Sequence, residues 1–383
     1  MDISLVSETY PGDINGVATT LGALVGGLES RGHNVDVICP KSPQRQPLRS
    51  GQLVSSARLP FYPQVRMGFF STRSFIERWE ENPPDVVHIA TEGPLGFTAL
   101  KAAVRMGFPV STSFHTNFHQ YANAYRLGWL TRPAVRYLRW FHNQADITFI
   151  PTESQSKNLS AAGFNRLVVL GRGVDTQLFH PDRRDERLRL HWGAHADTPV
   201  LIYVGRLAAE KNLELLIAAV KKALWVNPST VVVVVGDGPE RAWLEKRLPD
   251  VIFTGALSGL ALARCYASAD GFIQPSSTET FGIVLLEAMA SGLATLSYNY
   301  AAGEQLITPN ENGYLAAFND QSDFIRQVPQ LLGENRELKR RARETACQHA
   351  WSGVVESFET RLEQLIQLKT AQHTTHAEGL GQL

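Results

Sequence analysis

Two carboxylates, Glu279 and Glu287, sit eight residues apart in the apolar segment ETFGIVLLEAMASG. A buried carboxylate is costly unless something binds it. The strand-like GFIQPS and the loop SSTET precede the segment, so a helix is expected to begin near Phe281 and Gly282. Gly282 lets backbone N–H groups come close to a ligand. The first turn at Ile283 adds unpaired donors and a positive dipole end, a natural seat for phosphate. Glu279 lies just before that helix. Glu287 lies about one and a half turns in, its side chain leaning back toward the N-terminus. Both carboxylates can therefore face one ligand.

A second pair is cationic. In VGRLAAEKN, Arg206 stands at the carboxyl end of the strand VLIYV, and Lys211 follows five residues later at a helix start. Two cations at such a turn can neutralise a diphosphate. Carboxylates repel phosphate but accept from hydroxyl groups. The ligand suggested is anionic in the middle and hydroxyl-rich at both ends, as a nucleotide diphosphate sugar is. A plainer reading makes Arg206 and Lys211 surface cations, one paired with Glu210. It makes Glu279 a helix-dipole partner and Glu287 the partner of an arginine.

Four further positions lie in or beside loops where sites collect. His115 closes VSTSFH, and His119 lies four residues on, with no carboxylate or cysteine nearby to complete a metal set. Glu92, in ATEGPLG, can accept from a substrate hydroxyl or cap the next helix. Gly16, in PGDING, is small enough for close phosphate approach or is simply a turn glycine.

The elements that must hold these residues alternate. ISLVSE, NVDVICP, DVVHIAT, PVSTSFH, ADITFIPT and LVVLGR read as strands, with helices at Val17–Ser30 and in PLGFTALKAAVRMG. After the charge-rich HPDRRDERLRLHWGAHADTP the pattern restarts with PVLIYVGR, TVVVVVGDG, VIFTG, GFIQPS and ATLSYN, and with the helices LELLIAAVKKALW and PERAWLEKRL. Strands apolar on both faces suit a parallel sheet. Two such series give an α/β chain of two Rossmann-like doubly wound domains facing across a cleft. The expected division is 1–180, 181–350, a helix over 351–370 returning to the first domain, and a mobile tail over 371–383. Val355, Phe358, Leu362, Leu365 and Ile366 form the apolar face of that helix. His373 and His376 in the tail read as solvated.

With 383 residues, 44% apolar and 19% charged, the chain suits a two-domain globular protein. Net charge is zero, so no nucleic-acid partner is indicated. Up to His180 there are 17 Lys/Arg against 13 Asp/Glu. That surplus suits an anionic surface or is ordinary scatter. Cys39, Cys265 and Cys347 are scattered, as free thiols in a reducing compartment would be. The N-terminus does not read as a signal peptide, and the run Val231–Val235 is too short to cross a bilayer. A cytoplasmic protein, peripheral on the inner face of the cell membrane at most, is expected. LTRPAVRYLRWFHNQ, with Arg132, Arg136 and Arg139 beside Tyr137, Trp140 and Phe141, reads as an interfacial helix or as a packed helix with a basic side.

Taken together, the Glu279-x7-Glu287 segment, VGRLAAEKN, VGDGPE at 235–240, YPGDINGVA and GRGVDTQLFHP at 171–181 resemble retaining glycosyltransferases of family 4, which have the GT-B fold. The resemblance extends to about Lys369. It implies that Arg206 and Lys211 bind the donor phosphates, Glu287 the ribose and Glu279 the transferred sugar. The backbone at Phe281, Gly282 and Ile283 would hold sugar and phosphate. Gly16 would face the diphosphate, His115 would be the active-site histidine, and VIFTG with Phe253 would meet the base. No divalent metal and no cofactor is implied. In YNYAAGEQLI, Ala301 and Ala302 precede Gly303 and Glu304, where the commoner pattern has two glycines before the glutamate. That variant is similar to the subgroup of mannosyl- and glucosyl-type enzymes acting on diacylglycerol-derived lipids. GDP-mannose, then UDP-glucose, are the expected donors, with a lipid acceptor at a membrane surface. A nicotinamide enzyme is disfavoured, because GDGPER supplies only two of the glycines of G-x-G-x-x-G. A nucleotide-sugar epimerase, a phosphorylase on the same fold and a non-catalytic sugar-nucleotide binding protein also compete with the transferase reading.

Overall fold

The computed structural model describes residues 1–13, 15–43, 45, 47–59, 62–115 and 131–380, with the backbone alone at 59, 62–65, 131 and 373–380. Its described residues divide into two compact units. The first comprises the chain to His115, residues 131–172 and the helix from Trp351; the second runs from Gly173 to Ala350.

In the first unit the strands are β1 (Asp2–Val6), β2 (Asn34–Pro40), β3 (Gly51–Leu59), β4 (Tyr62–Phe69), β5 (Val86–Ile89), β6 (Val110–Ser113), β7 (Ile147–Ile150) and β8 (Leu167–Val169). They form one sheet in the order β4-β3-β2-β1-β5-β6-β7-β8. All neighbours are parallel except β3 and β4, which pair antiparallel with Ser56 opposite Gly68. Central strands such as β5 are buried along their whole length, as continuous apolar runs require. The strands β3 and β4 were not expected from sequence: GQLVSSARL intersperses serine and arginine among its apolar residues and lies toward the sheet edge.

The helix Trp351–Leu380 belongs to this unit and runs beyond the expected tail boundary. Its face of Val355, Phe358, Leu362 and Leu365 is buried with Leu21, Leu24 and Leu28 of the helix Gly16–Ser30. Contact is close at Gly27, where an added Cβ would stand 2.4 Å from Val355. His33 and Arg31 each meet Glu359 at 2.5 Å at one end. Lys369 pairs with Asp146 at 2.9 Å.

In the second unit β9 (Val200–Val204), β10 (Val231–Val235), β11 (Ile252–Gly255), β12 (Gly271–Gln274), β13 (Ala294–Tyr298) and β14 (Tyr314–Ala316) form a wholly parallel sheet, ordered β11-β10-β9-β12-β13-β14. Alternate residues of β9 and β10 feed two cores. Val200, Ile202 and Val233 pack with Leu285 and Leu286; Leu201, Tyr203 and Val234 pack with Leu216 and Val220. The charge-rich stretch after His180 is structured. It folds as Pro181–Arg183 and Glu186–His191, and the fully buried Arg189 meets Asp270 at 3.0 Å and the carbonyls of Ser268 and Thr198. The unit accordingly begins at Gly173, ahead of the boundary read at 180/181.

Candidate active site

The second sheet reverses its strand order between β9 and β12, and ligands of open α/β sheets bind beyond the carboxyl ends of the strands at such a reversal. Arg206 and Lys211 lie on the loop leaving β9, and Glu279 on the loop leaving β12. The two loops are tied together. Thr278 Oγ1 donates to the Glu210 carbonyl at 2.7 Å, and Asn212 Nδ2 to the Pro275 carbonyl at 3.2 Å. Lys211 Nζ meets Glu279 Oε1 at 2.7 Å. Arg206 Nη1 lies 3.4 Å from Glu210 Oε1. The pairing of Arg206 with Glu210 is thus real, and it stands at the switch point next to the Lys211–Glu279 pair.

VGDGPE supports this loop from below. Leu207 N donates to the Asp237 carbonyl at 2.9 Å, and Glu240 N to the Leu207 carbonyl at 3.0 Å. A Cβ on Gly238 would stand 2.2 Å from the Leu207 carbonyl oxygen, so glycine is needed for the close approach.

Gly282 begins the helix Ile283–Ala290 with φ 96°, and a Cβ there would lie 2.6 Å from Gln274 Nε2. Phe281 sends its ring into the core, and its carbonyl accepts from Ala302 N at 2.8 Å. Glu287 is buried on the same helix. Its partner is not an arginine but the buried Tyr266, whose hydroxyl donates to Oε2 at 3.0 Å. Burial pushes the Glu287 carboxyl up to about 7, the Tyr266 hydrogen bond opposing. Ala301, in the variant segment, has φ 52° and ψ −122°, a glycine conformation held by an alanine. Phe253 packs against the core that holds Leu244 and Leu216, not the one that holds Leu285 and Leu286.

The first sheet reverses between β1 and β5. Glu8, not singled out from sequence, crosses that point. Thr91 Oγ1 donates to its Oε2, and Leu95 N donates to Oε1 at 2.9 Å. The Glu8 carboxylate thereby caps the helix Pro94–Met106, the role considered for Glu92. Burial pushes Glu8 up to about 7, and these hydrogen bonds oppose the shift. Glu92 instead accepts from His142 Nε2 at 3.1 Å. Gly16 is exposed at the start of the helix Gly16–Ser30, whose cap Asn15 accepts from Ala18 N at 2.9 Å. His115 follows β6, and its Nδ1 lies 3.0 Å from Nη2 of the buried Arg172. Burial lowers the His115 imidazole well below its usual range, and Arg172 lowers it further. Arg172 was passed over in sequence because its partner lies 57 positions away. His119 falls outside the described residues. Among the described residues no three His, Cys, Asp or Glu side chains gather as a metal set.

The family model for glycosyl transferases group 1 matches residues 185–349, and the model for glycosyltransferase family 4 matches residues 14–178. The chain is 33% identical over 366 residues to the GDP-mannose-dependent alpha-mannosyltransferase of Mycolicibacterium smegmatis, covering 94% of this chain and 96% of that one. It is 28% identical to the alpha-monoglucosyldiacylglycerol synthase of Streptococcus pneumoniae, over 82% of this chain and 75% of that one. Among solved structures, the sucrose-phosphate synthase of Thermosynechococcus elongatus matches with a TM-score of 0.76 at 17% identity, covering 96% of this chain and 100% of that one. HepE of Anabaena, in complex with UDP, matches with a TM-score of 0.76 at 16% identity, over 95% and 100%. With its two parallel-sheet units, its two family matches and a relative aligned along nearly its full length, the chain belongs to glycosyltransferase family 4 and has the GT-B fold.

Proposed function

We propose that this glycosyltransferase moves a hexose, mannose before glucose, from a nucleotide diphosphate sugar to a hydroxyl of a membrane glycolipid precursor, with retention at the anomeric carbon and without a metal. The observation that carries the reading is the Arg206, Lys211 and Glu279 cluster at the β9/β12 switch point. Cations there oppose the negative charge that grows on the diphosphate as the glycosidic bond breaks. Glu279 accepts from hydroxyls of the transferred sugar, and Glu287 from those of the ribose. The backbone at Phe281, Gly282 and Ile283 holds sugar and phosphate. His115 and Gly16 keep the roles that family resemblance gives them.

In the reaction, the electron pair of the anomeric C–O bond leaves with the diphosphate. The acceptor oxygen bonds to the same face of that carbon, and its proton passes to the departing diphosphate. Mannose is favoured because a GDP-mannose-dependent enzyme is similar over almost the whole chain. UDP-glucose is the second reading, since a monoglucosyldiacylglycerol synthase is also similar. The latter name favours a lipid-linked product, and no helix among the described residues is long and apolar enough to cross a membrane.

A peripheral approach through the helices Pro94–Met106 and Thr131–Gln144 fits that product. Tyr137 and Trp140 are exposed and stacked, Trp140 lies 5.8 Å from Phe97, and Lys101 covers Phe97. Neither helix carries an acidic residue. Calorimetric titration with GDP, UDP and ADP in EDTA tests the donor assignment. Selective binding of GDP supports the mannosyl reading and selective binding of UDP the glucosyl one. Binding of none contradicts a metal-free donor site.

A further inference from the structure

Arg172 is a buried guanidinium with no carboxylate partner among the described residues. Its contacts are the Leu170 carbonyl at 3.1 Å, the Gly171 carbonyl at 3.5 Å and His115 Nδ1 at 3.0 Å. Burying a cation without a counter-ion is expensive. Burial alone brings its pKa down to about 10, so it stays charged at neutral pH. A group held at that cost beside a sheet edge has a role that a neutral side chain would not fill.

A guanidinium only donates. The nitrogen it meets on His115 must therefore offer a lone pair, and the proton of the neutral ring must sit on Nε2. The surroundings keep the ring neutral. Burial, Arg172, His88 and His142 all press it toward the neutral form. His88 itself is buried between Ser111 Oγ at 2.9 Å and Ser113 Oγ at 3.1 Å and is pushed down to about 3. His142 is tied to Thr112 Oγ1 at 2.9 Å and to Glu92 Oε1 at 3.1 Å, which engages that carboxylate.

We propose that Arg172 is the positioning residue for His115: by donating to Nδ1 it fixes the imidazole as the neutral Nε2–H tautomer, so that His115 works as a hydrogen-bond donor and never as the base. This rests on the reading that His115 belongs to the transferase site. It constrains the chemistry of that site. No proton can pass to His115 at Nδ1, which is occupied, or at Nε2, which is already protonated. The acceptor's proton then leaves with the diphosphate, and the histidine ends the reaction in the protonation state in which it began. Its Nε2–H can donate to a hydroxyl or phosphoryl oxygen of the substrates.

The test is ring-nitrogen NMR of protein labelled in its histidines, with H115Q used to assign the His115 signals. In the unsubstituted protein Nδ1 is expected to show as unprotonated and Nε2 as protonated, with no titration between pH 5.5 and 8. A protonated Nδ1 overturns the proposal, and this spectrum needs neither substrate nor turnover, so its result is separate from that of the proposed reaction. In R172M the ring is expected to mix tautomers, and turnover to fall on the order of a hundredfold. R172K, which can still donate to Nδ1, should keep the Nε2–H tautomer. An unchanged tautomer in folded R172M overturns it. Should R172M not fold, the unsubstituted spectrum and R172K still decide the assignment.

Discussion

Removing the charge of Glu287 should uncouple nucleotide binding from pH. The carboxyl is buried, donated to by Tyr266 at 3.0 Å, and held up at about 7 by burial. Ribose hydroxyls are donors, so they favour the ionised carboxylate. With a pKa near 7, roughly a tenth of the free protein is ionised at pH 6 and roughly nine tenths at pH 8, so affinity should rise about tenfold across that range, or about 1.4 kcal/mol. Glu287→Gln keeps the shape and an acceptor oxygen but cannot ionise. At pH 8 it should lose the charge-assisted part of the bond, about 1.5–3 kcal/mol. At pH 6 the two proteins should differ little. The assay is calorimetric titration with the nucleoside diphosphate at pH 6, 7 and 8. The ligand's own phosphate titration is common to both proteins and cancels in their ratio. Stability should move the opposite way. The folded pKa of Glu287 exceeds its unfolded value, so its contribution is complete below about pH 4.5 and is lost as pH rises toward 7, roughly 3 kcal/mol in all. Glu287→Gln should therefore unfold later than the parent protein at pH 8 and alongside it at pH 4. An affinity ratio that stays flat from pH 6 to 8 would refute the ribose role.

Arg206→Ala and Lys211→Ala should each cut turnover by about two orders of magnitude, as loss of one transition-state charge contact does; near-normal rates in steady-state assays would remove the diphosphate assignment. Ala301→Gly should stabilise the fold by about 1 kcal/mol, since it relieves a positive-φ alanine at φ 52° at a smaller cost in chain entropy; a lowered denaturant midpoint would contradict the strain. Trp140→Ala with Arg136→Ala should abolish flotation with vesicles containing phosphatidylglycerol and leave donor binding unchanged. Flotation equal to the parent's, or equal capture by purely phosphatidylcholine vesicles, would remove the helix Thr131–Gln144 as an anionic-lipid surface.

What could be read from sequence was local. β9 and β10 are unbroken apolar runs, and Glu279, Gly282 and Glu287 lie within one strand-loop-helix unit, so their order along it follows from spacing alone. The same holds for Arg206 and Lys211, which share a single loop. What escaped depended on distant partners. HPDRRDERLRLHWG reads only as a charge-rich break in the pattern, because nothing in it announces that Arg189 will find Asp270 and two carbonyls and become fully buried. β3 and β14 escaped for want of a strong pattern, the first being interrupted by serines and the second only three residues long. Glu8 and Arg172 act through Thr91, Leu95 and His115, tens of residues away in each case. Glu92 has the right place for a cap, but the chain satisfies that helix from the end of β1 instead.

The central claim is transfer of a hexose from a nucleotide sugar to a lipid hydroxyl. Its most direct test is incubation of the purified protein, in EDTA, with labelled GDP-mannose or UDP-glucose and vesicles carrying diacylglycerol or its monoglycosyl derivative, followed by isolation of the lipid and determination of its anomeric configuration. Labelled glycolipid is expected from one of the two donors, with the donor's α configuration kept. Donor consumed to free sugar alone, product of inverted configuration, or activity that appears only when a divalent metal is restored would contradict it.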